Sequence, residues 1–153
     1  MTRRLRPIDA VDLSSLARLH AQCFPDDRWD AAALAELLAM RGASGHLIEE
    51  TEDGEPLGLI LDLILAEHAE ILTVGVAPAA RRSGIARAML DDLFRRARLA
   101  GVHSVGLEAA ADNLAARRLY EACGFSQTGQ RPGYYRRAGA TVDALVFRRT
   151  LLG

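Results

Sequence analysis

Hydrophobic positions along the chain change period several times, and each change marks an element. Residues 5–8 read as a short opening strand. Asp9 then caps a predicted helix over residues 10–23, whose apolar stripe is Val11, Leu13, Leu16, Leu19 and Cys23. A loop follows from Phe24 to Trp29, and Asp30 is placed to cap an Ala-rich helix that runs to Met40. Residues 42–45, bracketed by two glycines, are predicted to break it. Strand character then takes over. Residues 47–50 and 57–65 flank a polar turn at Glu52-Asp53-Gly54-Glu55, which is a hairpin pattern. A third run over residues 71–76 ends before Pro78.

From residue 84 the period returns to that of a helix. Ile85, Met89, Leu93 and Ala97 repeat at i+4, Ala86 and Leu90 widen the stripe, and Gly101 ends it. Residues 102–108 are strand-like again, so residues 71–108 predict a right-handed β-α-β crossover with parallel strands. Asp112-Asn113 opens a further helix that stops at Gly124, with Leu114, Ala115, Leu119 and Ala122 expected in the core. Two last strands, around Tyr134-Tyr135 and over residues 144–147, are joined near Gly139. The order β-α-α-β-β-β-α-β-α-β-β describes an α/β protein with a mixed sheet of α+β character and helices on both faces. It does not describe a purely parallel nucleotide-binding fold.

Composition narrows the classes of partner. The 153 residues fit one domain, half of them are hydrophobic and a quarter charged, so a sizeable core and a soluble surface are expected. A net charge of −1 argues against partners held by bulk basic charge, so neither nucleic acid nor membrane is expected. The arginines nevertheless come in doublets, at 81–82, 95–96, 117–118, 136–137 and 148–149, and all but the first read as solvated faces. No apolar stretch approaches the roughly 18–20 residues of a membrane span, and the basic N-terminus lacks an apolar signal region. Cys23 and Cys123 lie far apart and are expected as buried free thiols in a reducing compartment, which points to the cytoplasm. His20, His46, His68 and His103 are scattered without ligand spacing, and no metal is expected. Trp29 has two readings, a wall of an acceptor groove or a half-exposed packing residue.

The chemistry gathers where the third strand run meets its helix. Val74-Gly75-Val76-Ala77-Pro78-Ala79-Ala80-Arg81-Arg82-Ser83-Gly84-Ile85-Ala86 passes from strand through loop into helix. A helix start presents unpaired N–H groups and about half a positive charge, which suits a pyrophosphate. Small residues at Gly84 and Ala86 let the backbone approach an anion, and Arg82 and Arg87 flank it with charged donors. An ordinary strand-to-helix turn is the other reading. The segment has neither the Gly-Lys-Ser/Thr of a P-loop nor a G-x-G-x-x-G fingerprint, which weighs against nucleotide hydrolysis and nicotinamide chemistry.

With Arg81-x-x-Gly84-x-Ala86 the chain resembles the GNAT superfamily of acetyltransferases, whose pyrophosphate signature is Arg/Gln-x-x-Gly-x-Gly/Ala, and the order of elements matches over nearly the whole chain. Leu107-Glu108 with Asn113, and Leu119-Tyr120-Glu121-Ala122-Cys123-Gly124-Phe125, narrow the likeness to bacterial ribosomal-protein alanine N-acetyltransferases. Phe24-Pro25 and Gly133-Tyr134-Tyr135 match more loosely. The resemblance implies a mostly antiparallel sheet with one splayed parallel strand pair, and direct transfer from acetyl-CoA, as co-substrate, to an amine. It further implies that Val74, Gly75, Val76, Arg81, Arg82, Ser83, Gly84, Ile85, Ala86, Arg87 and Asn113 hold the cofactor. The N–H of Val76 is then a candidate donor to the thioester oxygen. Glu108, at the end of its strand, would take the proton of the incoming ammonium, and Tyr120 would protonate the departing thiolate. A surface glutamate and a packed core tyrosine are the plainer readings of those two residues.

The acceptor is weighed by acidity. A protein α-amine, with a pKa of about 7.7–8.0, is cheaper to deprotonate at neutral pH than lysine at about 10.4, by roughly 3.5 kcal/mol. This favours a protein N-terminus, with a ribosomal protein as one form of it. A small amine is the alternative acceptor, and a non-catalytic acyl-CoA-binding module is a third reading. Relatives commonly read Leu-Glu-Val-Arg-x-Ser-Asn, where this chain has Ala110 for the arginine and Gly133 for an Asn before the Tyr-Tyr pair. Both departures lie where an acceptor should enter.

Overall fold

Element boundaries in the computed structural model, which describes residues 2–52 and 54–151, follow the changes of period closely. The strands are β1 (Arg3–Pro7), β2 (Ala43–Glu50), β3 (Pro56–Leu65), β4 (His68–Val76), β5 (Ser104–Ala110), β6 (Ser126–Arg137) and β7 (Ala140–Thr150). The helices are α1 (Leu13–Cys23), α2 (Ala31–Leu38), α3 (Ile85–Leu99) and α4 (Leu114–Ala122). Of the expected turn at residues 52–55, Asp53 lies outside the described residues. Asp30 caps α2 by accepting from the Ala33 N–H at 2.8 Å, and Asn113 caps α4 by accepting from Ala116 N–H at 3.1 Å.

Among the described residues the seven strands form one sheet in the order β1-β2-β3-β4-β5-β7-β6. Every neighbouring pair is antiparallel except β4 and β5, which run parallel from His68↔Ser104 to Ile71↔Leu107. This is the mixed, mostly antiparallel sheet expected from the sequence. Beyond Ile71 and Leu107 the parallel pair parts, and the cause is local. Against β3, Leu61 pairs with Thr73 but Asp62 pairs with Ile71, so Leu72 is a bulge of one extra residue in β4. A bulge bends its strand and sharpens the twist, which carries the end of β4 away from β5.

The same surplus residue changes which side chains face which core. Ala69 and Ile71 pack under α3 and α4, Leu72 and Thr73 turn toward α1, and Val74 and Val76 return to the α3 side. On the α1–α2 face, Leu16, Leu19 and Leu34 bury against Leu47, Leu59 and Leu61. On the other, Met89, Leu90, Leu93 and Phe94 of α3 bury against Ile60, Ile71, Val105 and Phe147. Each such side chain contributes about 1.5–3 kcal/mol from removing apolar area from water. Among the described residues no helix is long and apolar enough to cross a membrane.

Several expectations need correction. The first helix opens as a 3-10 turn over Ala10–Asp12, closed by the Asp9 N–H donating to the Asp12 carboxylate at 2.7 Å, and this leaves Val11 88% exposed. α2 stops at Leu38 and β2 begins at Ala43, so residues 43–45 belong to a strand. Gly45 sits there because Leu38 and Ile8 press on it: a Cβ would lie 2.7 Å from Leu38 Cδ2 and 2.9 Å from Ile8 Cδ1. In α4, Leu114, Ala115 and Ala122 are exposed; the inward line is the half-buried Ala116 and the buried Tyr120, continued by the buried Cys123 just past the helix end, spaced four and three residues apart.

The arginine doublets are largely structural rather than solvated. Arg96 pairs with the fully buried Asp62 at 3.0 Å and with Asp92 at 2.8 Å. Arg149 lies 4.2 Å over the Phe94 ring and donates to the Cys123 carbonyl at 2.8 Å, while Arg148 reaches His68 Nδ1 at 3.1 Å. The long apolar stem of arginine lets one member of a doublet pack inward while its head finds an acceptor.

Candidate active site

Two clefts open where β4 and β5 part. The larger, of about 630 Å³, runs from the parted strands past the start of α3; the smaller, of about 370 Å³, lies under the loop between α1 and α2. Cys23, Phe24, Val74, Asn113, Ala116 and Tyr120 line both, and so mark the junction.

The larger cleft contains almost all of the predicted anion loop. Val74, Gly75, Val76, Arg81, Arg82, Gly84, Ile85, Ala86, Arg87 and Asn113 border it, whereas Ser83 does not. The Ser83 hydroxyl donates to the Ala80 carbonyl, and its own carbonyl accepts from Arg3 Nη1 at 3.2 Å, so Ser83 shapes the loop and its side chain turns away from the cleft. Arg82 and Gly84 take left-handed φ of 63° and 81°. The first helical bond of α3 is Ala88 N–H to the Gly84 carbonyl, at 3.0 Å, so the N–H groups of residues 85–87 have no acceptor within the helix. A Cβ on Gly84 would meet no protein atom within 4 Å. The glycine is therefore required by its φ and by the open space over those amides, not by packing. Arg118 faces the same cleft from α4, although the sequence pattern assigned it to a solvated doublet.

Along β4, the Ala77 N–H donates to Leu57 O at 2.8 Å, which sets the phase of the ladder with β3. Because bonded and non-bonded pairs alternate, Gly75 directs its backbone groups to Leu59, while the N–H groups of Val74 and Val76 face the slot. The Val76 carbonyl confirms this direction by accepting from Arg81 Nε at 3.2 Å and from Cys23 Sγ at 3.3 Å. Gly75 is small for a different reason than ligand access: a Cβ would lie 3.0 Å from Cys23 Sγ and 3.3 Å from the Phe24 ring. Cys23 is half-exposed and borders both clefts, contrary to the expectation of a buried thiol; Cys123 is buried as expected. Burial pushes the Cys23 thiol pKa up, against smaller opposing contributions from Arg81 and the Val76 carbonyl, so it remains a thiol.

Glu108 borders the smaller cleft near the end of β5, and its Oε1 is 2.8 Å from Arg131 Nε, an ion pair that no spacing in the sequence announces. Tyr120 is buried, with its ring 5.9 Å from Phe125 and 6.0 Å from Phe147. Burial pushes its hydroxyl well above the ordinary tyrosine range, with Tyr135 and Cys123 adding to the shift. It therefore keeps its proton throughout the neutral range. Asn113 is fixed at the junction by its cap on α4.

The wall of the smaller cleft is held from below by His20, which is 1% exposed. Its ring stacks on Trp29 at 4.7 Å and lies 4.8 Å from Phe24. The Trp29 N–H donates to Nδ1 at 3.3 Å, so the proton of the neutral ring is on Nε2, which donates to Thr73 Oγ1 at 3.3 Å. Trp29 borders this cleft and is also a half-buried packing residue on the α1–α2 core. Burial lowers the His20 pKa to about 4, although nearby Asp27 acts the other way. A folded-state value below the unfolded value of about 6.5 means that the unfolded chain binds the proton first as pH falls. His20 therefore destabilises the fold progressively between about pH 6.5 and 4, by up to roughly 3 kcal/mol. Thermal melts from pH 7.5 to 4.5 should show this decline weakened in His20→Gln; identical pH slopes in the two proteins would contradict it.

Comparison with known proteins identifies the family and the fold. Residues 13–125 match the model of the acetyltransferase (GNAT) family. The chain is 38% identical over 144 residues, 91% of this chain and 87% of the other, to the N-alpha-acetyltransferase RimI of Mycobacterium tuberculosis. It is 30% identical over 96 residues, 63% of this chain and 65% of the other, to the [ribosomal protein bS18]-alanine N-acetyltransferase of Escherichia coli K12. The crystal structure of the Escherichia coli ribosomal-protein-S18-alanine N-acetyltransferase superposes with a TM-score of 0.89 at 21% identity, covering 99% of this chain and 96% of that one. The chain belongs to the GNAT acetyltransferase family. It is an N-acetyltransferase whose acetyl donor is acetyl-CoA.

Proposed function

We propose that this protein acetylates the α-amine at the N-terminus of a protein, with acetyl-CoA in the larger cleft and the acceptor in the smaller. The observation that carries the proposal is that one buried tyrosine, Tyr120, borders both clefts at their junction. Acetyl-CoA supplies the activated acetyl thioester. The unpaired amides of residues 85–87, with Arg82, Arg87 and Arg118, hold its phosphates. Val74 and Val76 offer N–H groups to its amide arm along the free edge of β4. Val74 borders both clefts and Val76 only the larger, so the Val74 amide is the better placed to donate to the thioester oxygen as negative charge develops there. Val76, favoured on the sequence, then serves the arm.

Glu108 faces the acceptor side and takes the proton released by the incoming ammonium, directly or through water. Its partner Arg131 keeps the carboxylate turned toward the cleft rim. Tyr120 donates its proton to the departing sulfur. The α-amine reading rests on the lower acidity cost derived above and on the relatives, which are named for N-alpha acetylation and for the alanine of ribosomal protein bS18. A ribosomal protein is accordingly the first acceptor to try.

Turnover should be compared on N-terminal peptides beginning with alanine, serine or methionine and on spermidine, free amino acids and an aminoglycoside. We expect kcat/KM for the best peptide to exceed that for any small amine by at least about tenfold, a difference of about 1.4 kcal/mol in transition-state stabilisation. A small amine that outpaces every peptide would overturn the protein acceptor and leave the acetyltransferase chemistry standing.

A further inference from the structure

Arg137 is the second member of a doublet that the sequence pattern assigns to solvent, yet it is only 20% exposed along its side chain. Its Nη1 lies 3.1 Å from Asp27 Oδ2, and its Nε lies 3.7 Å from Asp26 Oδ2 and 3.6 Å from Asp112 Oδ2. Its guanidinium also sits 5.4 Å from the centroid of the Tyr135 ring. Three separate parts of the chain meet on this one cation: the loop between α1 and α2, the loop between β5 and α4, and strand β6. Asp26, Asp27, Asp112, Tyr135 and Arg137 all border the smaller cleft.

We infer that Arg137 is a positioning residue that straps the loop of residues 24–30 over the acceptor cleft and so sets the affinity for the acceptor. The loop is anchored from inside by His20, through the Trp29 N–H and the stacked rings of Trp29 and Phe24. That anchor grips only the two ends of the loop. Pro25 and Asp26 between them are exposed, and Asp27 is half-buried. Across the cleft, Arg137 is the cation to which that middle stretch is tied. Three carboxylates left without it would repel one another at the cleft mouth, and the loop would open outward. A planar guanidinium with several donors suits this multiple pairing, whereas a lysine ammonium offers a single point charge.

The inference assumes that the acceptor enters by the smaller cleft, so its test has one arm that does not depend on turnover. In Arg137→Gln, backbone amides of residues 26–29 should exchange with deuterium at least about tenfold faster, with exchange in α3 and β3 unchanged. In the assay, acceptor KM should rise about tenfold, with a much smaller fall in kcat, and acetyl-CoA affinity should stay within about twofold. Arg137→Lys should recover part of the KM and part of the protection. Loop exchange as slow as in the unaltered protein would overturn the strap. Faster exchange with an unchanged acceptor KM would keep the strap but refute its role in acceptor affinity. A uniform loss that includes α3 protection and acetyl-CoA binding would also refute it, since Arg137 would then support the whole fold. Failure of the unaltered protein to acetylate any amine would count against the proposed function, not against the strap.

Discussion

Replacing Tyr120 by phenylalanine should lower kcat by about 100-fold or more, while acetyl-CoA binds nearly as tightly as before. General acid catalysis by a positioned side chain is worth about 10²–10⁴ in rate, and phenylalanine removes the acid without removing the ring. Contacts of the ring with Phe125 and Phe147 survive, so the core around it should stay packed. Because burial raises the hydroxyl pKa, Tyr120 is protonated across the accessible pH range, and the residual activity of the variant should keep the same pH profile. Stopped-flow or steady-state kinetics beside calorimetric titration with acetyl-CoA would decide the matter. Undiminished turnover removes Tyr120 from the chemistry; a parallel loss of acetyl-CoA binding makes it a wall of the cofactor cleft.

The second large effect is at Gly84. Valine there should weaken acetyl-CoA binding by more than about 100-fold, close to 2.8 kcal/mol, yet leave a folded protein. Two costs separate cleanly at this position. The φ of 81° is left-handed, which costs an L residue about 1–2 kcal/mol and a β-branched one more. No protein atom lies within 4 Å of the added Cβ, so nothing in the core is displaced and the melting midpoint should fall by only about 5 °C. The side chain instead projects into the space over the amides of residues 85–87, where an anion would sit. Gly84→Ala should show most of the stability loss with a smaller binding loss. Intact binding in Gly84→Val would move the phosphates elsewhere.

Legibility in the sequence followed the range of the interaction. The i+4 repeat of Ile85, Met89, Leu93 and Ala97 needs only its own helix, and α3 begins and ends within a residue of where that repeat places it. The clustering of the loop residues on one cleft was legible for the same reason: strand, loop and helix start are contiguous, and all of the residues expected to hold the cofactor but Ser83 border it. The acceptor side was not readable. Glu108 meets Arg131 across strands, and Arg137 meets Asp27 over 110 residues of chain. No local pattern distinguishes those arginines from solvated ones. His20 looked like one of four scattered histidines, and only the fold brings Trp29 and Thr73 to its two nitrogens. The exposed Leu114 and Val11 show the converse error, since an apolar residue at a helix start has the right period and no neighbour to pack on.

Leu72 has a consequence of a different kind. A strand that continued in step past Ile71 would stay zipped to β5 and close the cleft, and it would present its alternate side chains to the wrong faces. One unmatched residue prevents both. Deleting Leu72 would therefore do more than remove a half-buried leucine: it would heal the bulge, leaving Thr73 toward His20 and Val74 and Val76 toward α3 but in a regular strand that no longer bends away from β5. The opening between β4 and β5 is in this sense a counting device. Its existence depends on the number of residues in the strand, and point substitution at Leu72, which preserves that number, should leave the opening intact.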